Sequence, residues 1–139
     1  VEEMKKAFGT DPKDVHAAIG PSICQDCYEV SEDVIGEFRK AFPGIEEGDA
    51  ANSSKEGVGN GSLRSEVRKR ACPLWFPTSP GKYQLNLWEV NRLIMLEAGI
   101  PAAQIEMTDL CTCCNPDLLF SHRASHGKRG NLGAFMKLL

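Results

Sequence analysis

The chain has 139 residues, 42% of them hydrophobic and 25% charged, which is enough for one packed core and argues against a disordered chain or a miniature disulfide scaffold. Its net charge of −3, with basic residues scattered except at Arg64, Arg68, Lys69 and Arg70, offers no footprint for nucleic acid. No apolar stretch approaches the roughly 20 residues of a membrane-spanning helix and no signal pattern opens the chain, so the expectation is a soluble cytoplasmic domain that engages neither membrane nor nucleic acid. The six cysteines read as reduced thiols, because a domain of this size folds without disulfides and adjacent Cys113 and Cys114 make a poor disulfide framework.

The chain opens on VEEMKKAFG, without an initiator Met and with no cap residue before Val1, as if entered partway along a helix. Val1, Met4 and Phe8 share one helical face and Gly9 supplies the stop; the start reads as part of a longer protein. After the turn TDPKD, Val15 to Ile19 (VHAAI) is a short buried strand ended by Gly20-Pro21. The loop GPSICQDCYEV follows. Ser31 then caps a helix whose acids Glu32 and Asp33 suit its first turn and whose Val34, Ile35, Phe38 and Phe42 form an apolar stripe. It ends at Pro43-Gly44. Glu46 to Gly61 is rich in Gly, Ser, Asn and acids without periodicity, and the whole stretch 46–80 is expected to be a flexible insertion within one domain, 1–139.

Tyr83 to Gly99 contains the most strongly periodic segment, with Leu87, Val90, Leu93 and Ile94 on a helix of about four turns that Gly99 ends. Ile105 to Thr108 (IEMT), Leu118 to His122 (LLFSH) and Leu132 to Leu138 (LGAFMKL) are short strand candidates separated by Asn-Pro and Gly-rich turns. Strands interleaved with helices predict an α/β or α+β domain, layered, with a mixed sheet and flanking helices.

Two stretches carry the residues with chemistry. Cys24 and Cys27 form one C-x-x-C, Cys111 and Cys114 another, so the count matches a four-cysteine zinc site. The spacing argues against it, since zinc ribbons hold their pairs about 15 to 20 residues apart, and here two helices and an insertion intervene. A redox pair at Cys24/Cys27 would need a depressed thiol pKa at a helix N-terminus, which Asp26 opposes. Ordinary buried thiols in two loops remain the simplest reading. His122 and His126 are four apart, but on a strand such residues stand about 13 Å apart and cannot share an ion. His16 is alone in an apolar strand. Arg123 and the Lys128-Arg129-Gly130 turn could meet a phosphate or an acidic substrate; an Arg123 paired with Asp109 or Asp117, and a solvated turn, are the plainer alternatives.

Taken together and in order, IGPSICQDCYEV (Ile19 to Val30), GKYQLNLWEVNRLIMLEAGI (Gly81 to Ile100), DLCTCCNPDLLFSHR (Asp109 to Arg123) and GNLGAF (Gly130 to Phe135) resemble the C-terminal half of the laccase-domain proteins, the YfiH/YlmD or multicopper polyphenol oxidase family. The resemblance covers nearly the whole chain apart from Glu46 to Pro80. It implies one α/β domain and a zinc-dependent enzyme acting on adenosine, inosine and guanosine by phosphorolysis and on adenosine by deamination, with polyphenol oxidation described under copper. The partners it implies are a purine nucleoside, phosphate and the N-terminal half of the same protein.

The family's metal ligands, two histidines and a cysteine, lie on motifs resembling QVHG, ADC and HAGWRG, and none of these occurs here. The resemblance therefore assigns no metal ligand to this chain, leaving Cys24, Cys27, Cys111 and Cys114 as a non-catalytic zinc- or copper-binding alternative. It carries over onto the IGP turn (Ile19, Gly20, Pro21), the CYEV segment (Cys27 to Val30), Leu110-Cys111-Thr112 and Phe120-Ser121-His122-Arg123. Ser121, His122 and Arg123 become the substrate-binding candidates, with Arg123 foremost. The family often reads FFSYRRD followed by TGR; Ala124 stands in place of the second Arg and Arg129-Gly130-Asn131 in place of TGR.

Overall fold

The computed structural model describes residues 1–43, 45, 73–128 and 130–135. Their architecture is mixed α/β, with three α-helices, a parallel strand pair and a three-stranded antiparallel sheet. Helix α1 (Glu2–Phe8) carries Glu2 and Glu3 in its first turn and Lys5 and Lys6 in its last, in line with the helix dipole. Gly9 ends it at φ 68, its N–H donating to the Lys5 carbonyl; that left-handed backbone favours glycine. The apolar face read from Met4 and Phe8 is not buried: Phe8 is 82% exposed, and of the three residues Val1 alone packs against a core cluster.

A 3₁₀ turn at Pro12–Asp14 leads into β1 (Ala17–Ile19), shorter than the stretch expected from Val15. It pairs in parallel with β5 (Ile105–Met107), Ala17 opposite Ile105 and Ile19 opposite Met107. The second sheet has the order β2-β4-β3, with β2 at Glu29–Ser31, β3 at Trp75–Ser79 and β4 at Lys82–Leu85, all antiparallel. Strands β3 and β4 form a hairpin across Pro80 and Gly81, the latter at φ 72.

This hairpin corrects the sequence reading twice. Residues 75–79, assigned to a flexible insertion, form a strand, and Tyr83 to Leu85, read together with the periodic helix, belong to its partner Lys82–Leu85. The rest of the expected insertion, 46–72, lies outside the described residues. Helix α2 (Glu32–Ala41) follows the apolar periodicity, with Ile35 fully buried. Ser31 stands at its N-cap position, but its hydroxyl donates to the Asp33 carboxylate instead of accepting from the helix backbone.

Helix α3 (Leu87–Glu97) starts at Asn86, whose Oδ1 accepts the Glu89 N–H at 3.1 Å. It joins the two sheets. Val90 and Leu93 enter a cluster with Val30, Ile35, Phe42, Leu74, Trp75 and Leu85, while Trp88 and Met95 pack on Ile19, Ile100 and Ile105. Leu96 touches both clusters.

The expected strand Leu118 to His122 is absent. The chain turns instead, with Leu118 and Leu119 N–H groups both donating to the Asn115 carbonyl, and Leu118 and Phe120 are 75% and 64% exposed. The apolar run suggested a strand, but the Asn115-Pro116 turn signal prevails. Residues 132–135 likewise form no strand, and the remainder of the expected strand, 136–138, lies outside the described residues.

Side-chain burial in α3 sets the helix's energetic weight, because deleting a buried leucine loses both transfer energy and packing. Leu93 is 0% and its neighbour Ile94 50% exposed. In the intact protein Leu93→Ala is expected to lower unfolding free energy by about 2–5 kcal/mol, whereas Ile94→Ala should stay within about 0.5 kcal/mol, both read by urea denaturation.

Candidate metal centre

Past β1 and β5 the two chains remain side by side. Thr108 N–H donates to the Ile19 carbonyl at 3.2 Å, Ser22 N–H to Leu110 O at 3.3 Å and Thr112 N–H to Ser22 O at 3.1 Å, the last two making a parallel bridge between Ser22 and Cys111. The Trp88 indole N–H of α3 donates to the Ser22 hydroxyl and anchors this crossing to the core. Each chain then makes one tight turn. Cys27 N–H donates to Cys24 O at 3.2 Å, and Asn115 N–H to Cys111 O at 3.1 Å. A single turn brings residues i and i+3 to one side, so each C-x-x-C presents both sulfurs together.

The two turns face each other. The Sγ atoms of Cys24, Cys27, Cys111 and Cys114 all lie within 4.8 Å of one another. Cys114 stands 3.5 Å from Cys27 and 4.0 Å from Cys24, sulfur to sulfur. These separations exceed a disulfide bond, and the five described cysteines are free thiols. The argument from linear spacing is thereby overturned: the pairs are brought together by parallel neighbouring strands, for which the length of the intervening chain is immaterial.

Backbone geometry distinguishes Cys111 from the others. It is 5% exposed, and its sulfur accepts N–H bonds from Cys24 at 3.2 Å and Cys114 at 3.4 Å. Burial pushes this thiol's pKa up, but those two amides, with hydrogen bonds from the Cys24 and Cys114 thiols, outweigh it and hold the pKa at about 6. Cys27 is shifted the other way, by burial first and then by hydrogen bonding to the Cys114, Cys24 and Cys113 thiols. Cys114 is also raised, chiefly by its hydrogen bond with Cys111. The cluster thus concentrates thiolate character on one sulfur.

The flanking residues fix the turns. Gln25 is buried and its Nε2 donates to the Pro73 carbonyl at 2.9 Å, while the Asp26 carbonyl accepts from Gln84 Nε2 at 3.3 Å. Asn115 Nδ2 donates to Cys111 O at 2.8 Å, doubling the backbone bond there. Four convergent thiols are a soft donor set suited to zinc, copper(I) or iron. Cys113 is half-buried and stands outside the group of four.

The remaining candidates are dispersed. Ser121 is buried, its Oγ accepting from Ala124 N–H at 3.2 Å and its carbonyl from Ser125 N–H at 3.0 Å, so its hydroxyl caps a turn. His122 and His126 are exposed and lie in that turn, not on a strand, with Gly127 N–H donating to His122 O at 2.9 Å. Neither belongs to a group of three or more metal donors among the described residues. His16 is exposed, with its Nε2 at 3.3 Å from Gln104 Nε2.

Arg123 reaches neither Asp109 nor Asp117: its Nη2 donates to the Glu29 carbonyl at 3.1 Å and its guanidinium lies 6.0 Å from the centre of the Tyr28 ring. The CYEV and FSHR segments therefore meet. Arg129 lies outside the described residues.

Comparison with known proteins places these features in a family. The model for the multi-copper polyphenol oxidoreductase laccase family matches residues 1–139, and the chain belongs to that family. It is 35% identical over 126 residues to the purine nucleoside phosphorylase YlmD of Geobacillus stearothermophilus, covering 90% of this chain and 36% of the relative. It is 32% identical to adenosine deaminase RL5 from an unknown prokaryotic organism, covering 88% of this chain and 37% of that protein. The crystal structure of YlmD from Geobacillus stearothermophilus superposes with a TM-score of 0.67 at 32% identity, over 91% of this chain and 38% of the other. The chain thus spans less than two-fifths of the length of these proteins.

Because Asn115 closes the second cysteine turn with both its backbone and its side chain, Asn115→Ala removes one half-buried hydrogen bond there. The expected loss is about 1 kcal/mol of unfolding free energy, measured by urea denaturation of the intact protein under reducing conditions.

Proposed function

We propose that the protein containing this chain is a zinc-dependent purine nucleoside enzyme that phosphorolyses adenosine, inosine and guanosine and deaminates adenosine, with this chain forming its C-terminal portion in the cytoplasm. The observation that carries the reading is the likeness of 90% and 88% of the chain to proteins named purine nucleoside phosphorylase and adenosine deaminase. The meeting of the CYEV and FSHR segments through Arg123 and Glu29 supports it.

In phosphorolysis a phosphate oxygen bonds to C1′ of the ribose as the glycosidic bond to the purine nitrogen breaks, leaving ribose 1-phosphate and the protonated base. In deamination water adds to the purine C6 and ammonia leaves. Zinc, with ligands in the part of the protein outside this chain, supplies Lewis acidity to such steps when bound. From this chain the contribution is positioning. Arg123 is exposed and spends one donor on the Glu29 carbonyl; a guanidinium has five, so the others remain to hold phosphate or a ribose hydroxyl. The Tyr28 ring beneath it limits its swing.

A second reading, a non-catalytic zinc- or copper-binding module, is favoured by the cysteine cluster alone. It requires metal without turnover. The test is to incubate the intact protein with adenosine or inosine and phosphate, following release of adenine or hypoxanthine and formation of inosine. Turnover supports the enzyme; its absence with either nucleoside overturns it. Arg123→Ala is expected to lower kcat/KM for phosphorolysis at least about tenfold, the equivalent of one lost charged hydrogen bond, with only a small fall in Tm from the lost Glu29 contact. An unchanged kcat/KM would remove Arg123 from substrate binding.

A further inference from the structure

We propose that Cys24, Cys27, Cys111 and Cys114 together hold a structural zinc ion that clips the loop after β1 to the loop after β5. The proposal rests on the cysteine geometry alone and stands apart from the nucleoside reading. A zinc ion with Zn–S bonds of about 2.3 Å has sulfur–sulfur edges of about 3.8 Å in a regular tetrahedron. Two edges of the sulfur group, 3.5 and 4.0 Å, bracket that value, and no edge exceeds 4.8 Å. The four sulfurs need only small adjustments to enclose one ion. A four-iron cluster would force them further apart, because iron and sulfide must stand between them.

Hydrogen bonding points the same way. Each C-x-x-C makes a single turn, and Cys111 Sγ accepts amide N–H bonds from its own turn, at Cys114, and from the opposite one, at Cys24. Amides directed at a sulfur stabilise thiolate over thiol, and such outer contacts fix the orientation of metal ligands. On binding, each sulfur that still carries a proton gives it to solvent as it joins zinc. The dication then balances two of the four negative charges, and the amides disperse part of the rest.

Four protein ligands also close the coordination sphere, which is the pattern of a structural rather than a catalytic zinc. The clip has a mechanical purpose. Beyond it the second chain runs through exposed turns to Arg123, and the first runs directly into Tyr28 and Glu29, which Arg123 contacts.

The experiment is metal analysis of the intact protein purified under reducing conditions, alongside Cys27→Ser, Cys114→Ser and Cys113→Ser, with a cobalt(II)-substituted sample examined by absorption. Cys114 is exposed, so its serine variant is compatible with the fold even if Cys27→Ser is not. Zinc is expected to fall by one equivalent per chain in Cys114→Ser and to stay unchanged in Cys113→Ser, and the cobalt protein should show intense thiolate-to-cobalt charge-transfer bands that Cys114→Ser weakens. Zinc content equal in wild type and Cys114→Ser, copper or iron in place of zinc, cobalt without thiolate bands, or a Cys27–Cys114 disulfide in the reduced preparation would each overturn the assignment. Any zinc bound elsewhere in the protein is common to all samples and leaves the difference intact.

Discussion

Thr108 and Thr112 each donate a backbone N–H across to the chain that leaves β1, at 3.2 Å to Ile19 and 3.1 Å to Ser22. These bonds continue the β1–β5 pairing beyond the strands themselves, and they are the constraint on which the remaining geometry depends. A parallel pair requires a long crossover, and here the crossover contains α2, the β2-β4-β3 sheet and α3. Everything between the strands is thus free to build its own cluster, while the strand ends stay in register. A slip of one residue would exchange the faces of Ile19 and Ile105 and separate the two cysteine turns.

So short a ladder needs support from packing. Helix α3 supplies it, since its buried Val90 and Leu93 belong to one cluster and its Trp88 and Met95 lean on the other. The Trp88 indole also donates to Ser22, the residue that bridges to Cys111. Core packing is therefore transmitted to the cysteine turns through one aromatic side chain, and Gln25 adds a second tether by way of Pro73. Both tethers act on the first C-x-x-C. The second depends on the ladder and on Asn115.

Much of this was legible from local pattern. Apolar periodicity located α2 and α3, and β-branched or small apolar runs closed by turn residues located β1 and β5, because each of those signals reports on immediate neighbours. Strand β3 escapes the sequence reading because it falls at the end of the expected insertion, 46–80; its Pro77 is tolerated because β3 is an outer strand in the order β2-β4-β3, where a missing N–H can face away from the ladder. The run at Leu118 misled in the opposite direction: its side chains are apolar, but no partner strand covers them among the described residues. The cysteine group was illegible for a topological reason. Linear spacing measures loop length within one motif, whereas Cys24 and Cys111 are neighbours through strand pairing; the usable signal was that each C-x-x-C follows a strand candidate.

The same geometry separates the cysteine group from the chemistry of phosphate transfer. Closed around the proposed zinc, four thiolates would leave no open position for water or substrate, and their surplus negative charge would repel a phosphate. Phosphate recognition calls instead for cationic donors in fixed directions, and within the CYEV and FSHR segments Arg123 has that character. Its carbonyl partner Glu29 lies two residues past Cys27, on β2, and the strand pairs with β4 at Gln84. The guanidinium is thereby referenced to the antiparallel sheet, while its own backbone follows from the turn at Cys111 to Cys114. Whatever fixes the two cysteine turns against each other also fixes both ends of the Arg123 contact, so the sulfur group bears on the position of that one side chain.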